Sequence, residues 1–228
     1  MCGRFTLWRE AAAIELFLGQ SFFGEGELSG PRYNIAPSQG VTALIGGDEP
    51  QIEMLRWGLI PFWAKDPSIG NRMINARAET IAEKPSFRTA FRRQRCLIFA
   101  DGFYEWKRKT SKTPALPYYF QRSEREVFAF AGLWDRWKKN DQETIKSCSI
   151  ITCQPNPLVE TVHNRMPVIL DETRCWAWLR EDDPAALLNL LKPYPHEKMI
   201  GHRVSTIVNS PGNDTVDCIL PLEESGEL

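Results

Sequence analysis

Cys96-Leu97-Ile98-Phe99-Ala100-Asp101-Gly102-Phe103-Tyr104-Glu105-Trp106 reads as two short strands, Cys96 to Ala100 and Phe103 to Trp106, broken at Asp101-Gly102. Further strands lie on both sides. Upstream, Val41 to Ile45 and Ile52 to Trp57 flank a Gly46-Gly47-Asp48 turn, and Met1 to Thr6 reads as extended. Downstream come Tyr118 to Gln121, Val127 to Trp134 and Thr144 to Thr152, the last two joined by a charged tip over Lys138 to Glu143. Val168 to Leu170, His202 to Ser205 and Cys218 to Leu220 complete the set. Helices are few. One contains Ala11, Ala12, Ile14, Leu16 and Phe17 and ends near Gly19; a basic one lies around Pro85 to Gln94; two more lie near Glu172 to Arg180 and Pro184 to Leu191. Gly24, Gly26, Gly30 and Pro31 mark a loop, as does Gly58 to Gly70 with Pro61, Phe62, Trp63 and Pro67. Aromatics in such a loop are more often core plugs than ligand platforms, which leaves the location of Trp63 open. Many strands in mixed order with few helices predict an α+β chain: a curled, barrel-like antiparallel or mixed sheet with peripheral helices. No repeat or linker interrupts residues 1–228, which read as a single domain.

The composition, 43% hydrophobic and 11% aromatic, is enough for a sizeable core. The net charge of −1 neither favours nor excludes nucleic acid, but the charges are segregated. Basic residues gather at Arg88, Arg92, Arg93 and Arg95 and at Lys107, Arg108 and Lys109; acids gather at Glu181, Asp182 and Asp183 and at Glu223, Glu224 and Glu227. That pattern permits one basic face on a neutral protein, although any single run taken alone reads as a solvated surface. The N-terminus lacks a charged leader followed by an apolar stretch, and no apolar run approaches the roughly 20 residues of a membrane helix. Six cysteines in a chain of this size read as reduced thiols of a cytoplasmic protein. Without C-x-x-C pairs or histidines at zinc spacing, neither a metal nor an organic cofactor is expected.

Met1-Cys2-Gly3-Arg4 carries the chemistry. Cysteine is small enough for the initiator methionine to be trimmed, which leaves a thiol and an α-amine on adjacent carbons. The amine, with an ordinary pKa of about 7.7 to 8.0, is partly neutral near pH 7, and the thiol, at about 8.5, is lowered by cations such as Arg4. An amine condenses with an aldehyde to a Schiff base, and the thiol then closes a five-membered thiazolidine. Gly3 lets backbone approach a ligand closely. Met-Cys by itself reads more simply as a chance residue on a frayed terminus, and Met-Cys-Gly also opens glutamine amidotransferases of the N-terminal-nucleophile class.

The remaining motifs select the substrate. Met1-Cys2-Gly3-Arg4-Phe5 is followed by Arg32-Tyr33-Asn34-Ile35-Ala36-Pro37, by Trp57-Gly58-Leu59-Ile60-Pro61 with Trp63, and by Asn75-Ala76-Arg77-Ala78-Glu79-Thr80. Then come Asp101-Gly102-Phe103-Tyr104-Glu105-Trp106, His163-Asn164-Arg165-Met166-Pro167, and Val204-Ser205 with Val208-Asn209. This ordered set, running from Met1 to about Leu220, resembles the SOS-response-associated peptidase (SRAP) family, whose members act on abasic DNA. The resemblance implies a single SRAP fold that crosslinks covalently to abasic sites in single-stranded DNA, with Cys2 as nucleophile and Asn75, Glu105 and His163 as its partners. It places Arg4, Arg77 and Arg165 on phosphates, and Gly3, Asn34, Pro37, Trp63 and Trp106 in motifs that line the DNA site. A monomer located in the cytoplasm, and on the nucleoid when bound to DNA, is expected.

The residue types suit those roles. Glu105, between Tyr104 and Trp106, is placed for a pKa raised by desolvation, as a general acid/base near neutrality requires. His163 titrates in the same range. Asn75 donates and accepts without changing charge, and arginine forks fit phosphate. Structural alternatives stand beside these: Asn34 and Asn75 as turn formers, Arg77 paired with Glu79, Trp63 and Trp106 as core. Rival functions also remain at this level: a thiol peptidase built on Cys2, His163 and Asn75 whose only substrate is its own Met1, an amidotransferase-like hydrolase, and a non-catalytic single-strand binder. A Schiff base at an abasic aldehyde also permits β-elimination, so a lyase side-reaction belongs to the crosslinking reading.

Overall fold

Residues 101 and 102 form the joint of the molecule. The computed structural model describes residues 2–22, 30–47, 49–108, 114–140 and 142–222. Met1, Gly24, Gly26, Asp48, Lys109, Glu223, Glu224 and Glu227 therefore lie outside the described residues. In chain order the elements begin with β1 (Phe5–Leu7), α1 (Ala11–Leu18), β2 (Arg32–Ile35), β3 (Gly40–Ile45), β4 (Gln51–Trp57), β5 (Asn75–Arg77), α2 (Arg88–Arg93), β6 (Arg95–Ala100) and β7 (Gly102–Lys107). They continue with β8 (Leu116–Arg122), β9 (Phe128–Lys138), β10 (Thr144–Cys153), α3 (Pro157–Glu160), β11 (Met166–Pro167), β12 (Ile169–Leu170), α4 (Glu172–Arg180), α5 (Pro184–Leu190) and β13 (Met199–Arg203).

β4, β3, β6, β9 and β10 form a closed ring. Four of its pairings are antiparallel, and the closing one, Ser147↔Arg56 and Cys148↔Trp57 between β10 and β4, is parallel. Closure removes the sheet edges that would otherwise be open to another chain. It also explains why β6 reads as an unbroken apolar run rather than an alternation, since every one of its residues is buried. One face of β6 points into the barrel, and α4 covers the other, where the Trp178 indole donates to the Cys96 carbonyl at 3.1 Å. The remaining strands build a five-stranded antiparallel sheet in the order β13-β8-β7-β1-β2. Phe5 of β1 ties it to the barrel, with its ring 5.1 Å from Trp57 and 5.6 Å from Phe130, edge to face. The chain is thus a single α+β domain with a barrel core.

Asp101, 1% exposed, sets the register between β1 and β7. Its carboxylate accepts the Thr6 hydroxyl at 2.5 Å and the backbone N–H groups of Trp8 at 2.6 Å and Arg9 at 3.0 Å, while its own N–H donates to the Thr6 carbonyl. Phe5 then pairs with Phe103 and Thr6 with Gly102.

Several expectations shift. Cys218 to Leu220, read as a strand, belongs to a tight 3-10 turn at Val216–Cys218, because the Cys218 and Ile219 N–H groups donate to the nearby Thr215 and Val216 carbonyls. Only an isolated bridge, Val204 to Pro221, remains there. The strand expected at His202 to Ser205 starts earlier, at Met199, because its partner β8 extends to Arg122. Part of the Gly58 to Gly70 loop winds into a 3-10 helix, Pro67–Arg72, capped by the Asp66 carboxylate on Ser68 N–H. Phe62 and Trp63 are not core plugs but 59% and 49% exposed. β2 and β5 carry no clear alternation and exist because neighbouring strands offer edges.

A Cβ at Gly102 would lie 2.0 Å from the Tyr119 hydroxyl, inside the buried joint. Gly102→Ala is therefore expected to cost about 1–3 kcal/mol, lowering Tm by about 2–4 °C per kcal/mol in a chain of this size. An unchanged thermal unfolding curve would show that β7 does not hold this contact.

Candidate active site

Three segments converge where β10 leaves the barrel. Beyond Cys148, β10 pairs with β5 (Ile150↔Asn75, Thr152↔Arg77), so Asn75 and Arg77 point to one side and Ala76 to the core. On its other edge β10 pairs with β11, which follows the turn carrying His163 and Arg165. The third segment is the N-terminal strand. Tyr104 N–H donates to the Arg4 carbonyl, and continuing the Phe5↔Phe103 register sets Gly3 opposite Glu105.

Cys2 is wholly buried at this junction. The Asn75 amide donates to its carbonyl at 2.7 Å, while Asn75 Oδ1 is enclosed with no hydrogen-bond partner among the described residues. The thiol lies 3.9 Å from the Arg4 carbonyl. Burial pushes the Cys2 thiol far above the ordinary range, and the charge of Glu105 adds to the effect. The sequence argument that Arg4 would lower this thiol is corrected here, because desolvation and a neighbouring carboxylate dominate. Glu105 is 2% exposed, and burial raises its carboxyl to about 7. His163 Nδ1 stands 3.9 Å from Glu105 Oε2. The same nitrogen lies 3.1 Å from Arg165 N–H and 3.2 Å from the Arg165 carbonyl, so either tautomer finds a partner and the ring keeps its place. Desolvation lowers the His163 pKa, which favours the neutral ring near pH 7.

Of these groups Glu105 and His163 border a cleft of about 990 Å³ whose wall also includes Arg4, Trp106, Arg108 and Asn209. The structure divides the remaining expected residues by position. Arg4 donates to Asn34 Oδ1 at 2.7 Å and to the Val208 carbonyl at 2.6 Å, and lies 5.8 Å from the Trp106 ring. Asn34 is fully buried; its amide donates to the Ser210 and Asn213 carbonyls at 2.9 and 2.6 Å and so straps the 208–213 turn to β2. The Trp106 indole donates to Asn209 Oδ1 at 2.8 Å, which gives the last residue of the Val208-Asn209 motif a part that its sequence context does not suggest. Arg165 is 9% exposed and grips Glu79 with both ends of its fork, at 2.5 and 3.0 Å, and the Thr152 carbonyl at 2.6 Å. Glu79's partner is thus Arg165 rather than Arg77, and this pair fixes the backbone that holds His163. Arg77 is exposed, Gly3 and Pro37 are half-buried, and Trp63 is 49% exposed on its loop. Among the described residues no group of three or more His, Cys, Asp or Glu side chains is placed to hold a metal.

The model of the SOS response associated peptidase (SRAP) family matches residues 1–211. The abasic site processing protein YoqW of Bacillus subtilis is 47% identical over 96% of this chain and 99% of its own length. The abasic site processing protein HMCES of Xenopus tropicalis is 30% identical, over 86% of this chain and 68% of its own. A crystal structure of a protein from Bacteroides thetaiotaomicron superposes with a TM-score of 0.85 at 28% identity, covering 97% of this chain and all of that one.

The raised Glu105 pKa has a measurable sign. Between the unfolded value of 4.5 and about 7 the folded state holds a proton that the unfolded chain has released, so stability falls as pH rises through this window. The size is on the order of a few kcal/mol, at about 1.4 per unit. Glu105→Gln should flatten that slope in urea unfolding at pH 5 and pH 8; an identical slope in both proteins would mean Glu105 ionises normally.

Proposed function

The chain belongs to the SOS response associated peptidase family, and from that premise we propose that it processes abasic sites in single-stranded DNA by linking itself to them through Cys2. The observation that carries this reading is a carboxyl raised to about 7, Glu105, which shares the wall of an open cleft with the His163 imidazole and acts on the buried Cys2 thiol behind it.

The chemistry balances without an oxidant or a metal. Hydrolysis of the Met1–Cys2 peptide bond consumes one water and frees the Cys2 amine. That amine attacks the aldehyde carbon of the ring-opened sugar. A protonated Glu105 gives its proton to the departing hydroxyl and the resulting carboxylate takes one back from the nitrogen, so water leaves, an imine remains and Glu105 is again protonated. The thiol, held protonated by burial, adds across the imine: sulfur bonds to carbon and the proton goes to nitrogen. The product is a thiazolidine with one water released. Asn75 holds the Cys2 carbonyl, and its enclosed Oδ1 offers an acceptor to the amine. His163, mostly neutral, serves as a second proton carrier at the sugar hydroxyl. Arg77 and Trp63, both exposed, supply phosphate and base contacts. Arg4 and Arg165, committed to internal partners, act on the DNA mainly by positioning Trp106 and His163.

A general thiol peptidase fits less well. Among the described residues the Cys2 thiol faces a carbonyl rather than the imidazole, and burial disfavours its thiolate.

A denaturing gel tests the proposal. Trimmed wild type mixed with a single-stranded oligonucleotide bearing one abasic site should give a heat-stable shifted band, absent with undamaged strand and with Cys2→Ala. No band from protein whose free Cys2 is verified by mass would refute it. Glu105→Gln should slow crosslinking by about 10²–10⁴-fold, the usual share of a positioned acid/base, with strand affinity retained; a wild-type rate would remove Glu105 from the reaction. Cys2→Ser keeps the amine but cannot close the sulfur ring, so it should cleave abasic strands more than wild type does.

A further inference from the structure

The basic helix takes no part in the cleft at Glu105 and His163. α2 turns Ala90 and Phe91 into the core and leaves Arg88, Thr89, Arg92 and Arg93 exposed. Arg88 and Arg92 stand at i and i+4, a like-charge pairing that opposes helix formation. Among the described residues no carboxylate lies within ion-pairing distance of Arg88, Arg92 or Arg93.

Arg92 and Arg93 form the shared wall of two depressions. One, of about 360 Å³, is completed by Arg88 and Thr89. The other, of about 420 Å³, is completed by the Gly46-Gly47 turn, Arg95, Arg180 and Asp182. Its wall is built: buried Arg95 donates Nε to the Trp178 carbonyl at 2.7 Å, Nη1 to the Phe91 and Arg92 carbonyls at 3.0 and 2.8 Å, and Nη2 to the Glu181 carbonyl at 2.6 Å. The two helix ends are thereby fastened together with a cation beneath them.

The face is joined to the exposed aromatic loop. Asp135 accepts Phe62 N–H at 2.9 Å and the Gln94 amide, at the end of α2, at 3.3 Å. Two exposed aromatics and three arginines free of carboxylate partners among the described residues therefore share one support. Interleaved rings and cations are what an unpaired strand requires, with bases stacking and phosphates neutralised; a duplex hides its base faces.

We infer that the α2 face is a second nucleic-acid contact, holding the backbone of the single strand as it runs from the abasic site past Phe62 and Trp63. The inference rests on the DNA reading above, but its test does not need the crosslink.

Affinity for undamaged single strands is measured by fluorescence anisotropy across a salt series, comparing wild type with R88Q/R92Q/R93Q. The slope of log K against log salt should become shallower by about 0.7 for each phosphate that the variant no longer neutralises, with weaker binding to strands of about 16 nucleotides and little change for strands of about four. The crosslink yield at saturating strand should be unchanged. The variant should melt at or above the wild-type temperature, since the substitutions remove exposed like charges. An unchanged slope and affinity overturn the inference and leave the face to an acidic protein partner. A loss seen on duplex but not on single strand overturns the assignment to an unpaired strand. If wild type forms no crosslink while the slope still differs, the chemistry proposed above fails and the binding face stands.

Discussion

The Asp101 carboxylate, gripping Thr6, Trp8 and Arg9 at once, decides where the second residue of the chain comes to rest. A residue at position 2 has almost no chain before it, so its position must be fixed from the downstream side. β1 is only three residues long and pairs with β7 at two positions, too few to specify register by themselves. Asp101 supplies the missing constraint, and Phe5, wedged between Trp57 and Phe130, anchors the same strand in the barrel. A slip of one residue would turn Phe5 out of the core and carry Cys2 away from Glu105. Burial raises the Asp101 carboxyl to about 6, partly offset by its hydrogen bonds, so the clamp is held against an electrostatic cost.

Desolvation sets the chemistry of the site as firmly as it sets the fold. One dry corner raises the Glu105 carboxyl into the neutral range, keeps the Cys2 thiol protonated and lowers His163. Each group is thus moved toward its uncharged form. Such a set suits a reaction that shuttles protons at a carbonyl, and suits poorly one that needs a standing thiolate.

Burial also divides the arginines by task. Arg4, Arg95 and Arg165 point inward and satisfy carbonyls or Glu79; Arg77, Arg88, Arg92 and Arg93 remain in water. A guanidinium with several fixed donors can brace a turn as readily as it can hold a phosphate. The sequence motif that contains an arginine does not reveal which of these it does.

Strand periodicity made the α+β class legible, because β3, β4, β6, β9 and β10 are each long or apolar enough to show it. The ordered motifs pointed to the family. Glu105 was also legible, since a carboxylate between two aromatics in a strand must be partly dry. Other features depended on tertiary structure. β2 and β5 form only because a neighbour offers an unpaired edge, and Cys218 to Leu220 curls into a turn because local carbonyls satisfy its backbone first. Closure of the barrel through the parallel β10–β4 pairing, the Arg165–Glu79 grip behind His163, and the exposure of Trp63 join residues tens of positions apart or depend on the packing around them. Local sequence determines which backbone conformations and side-chain chemistries are available at each position. Which charge meets which partner, and how dry the meeting place is, follows from the packing of distant segments.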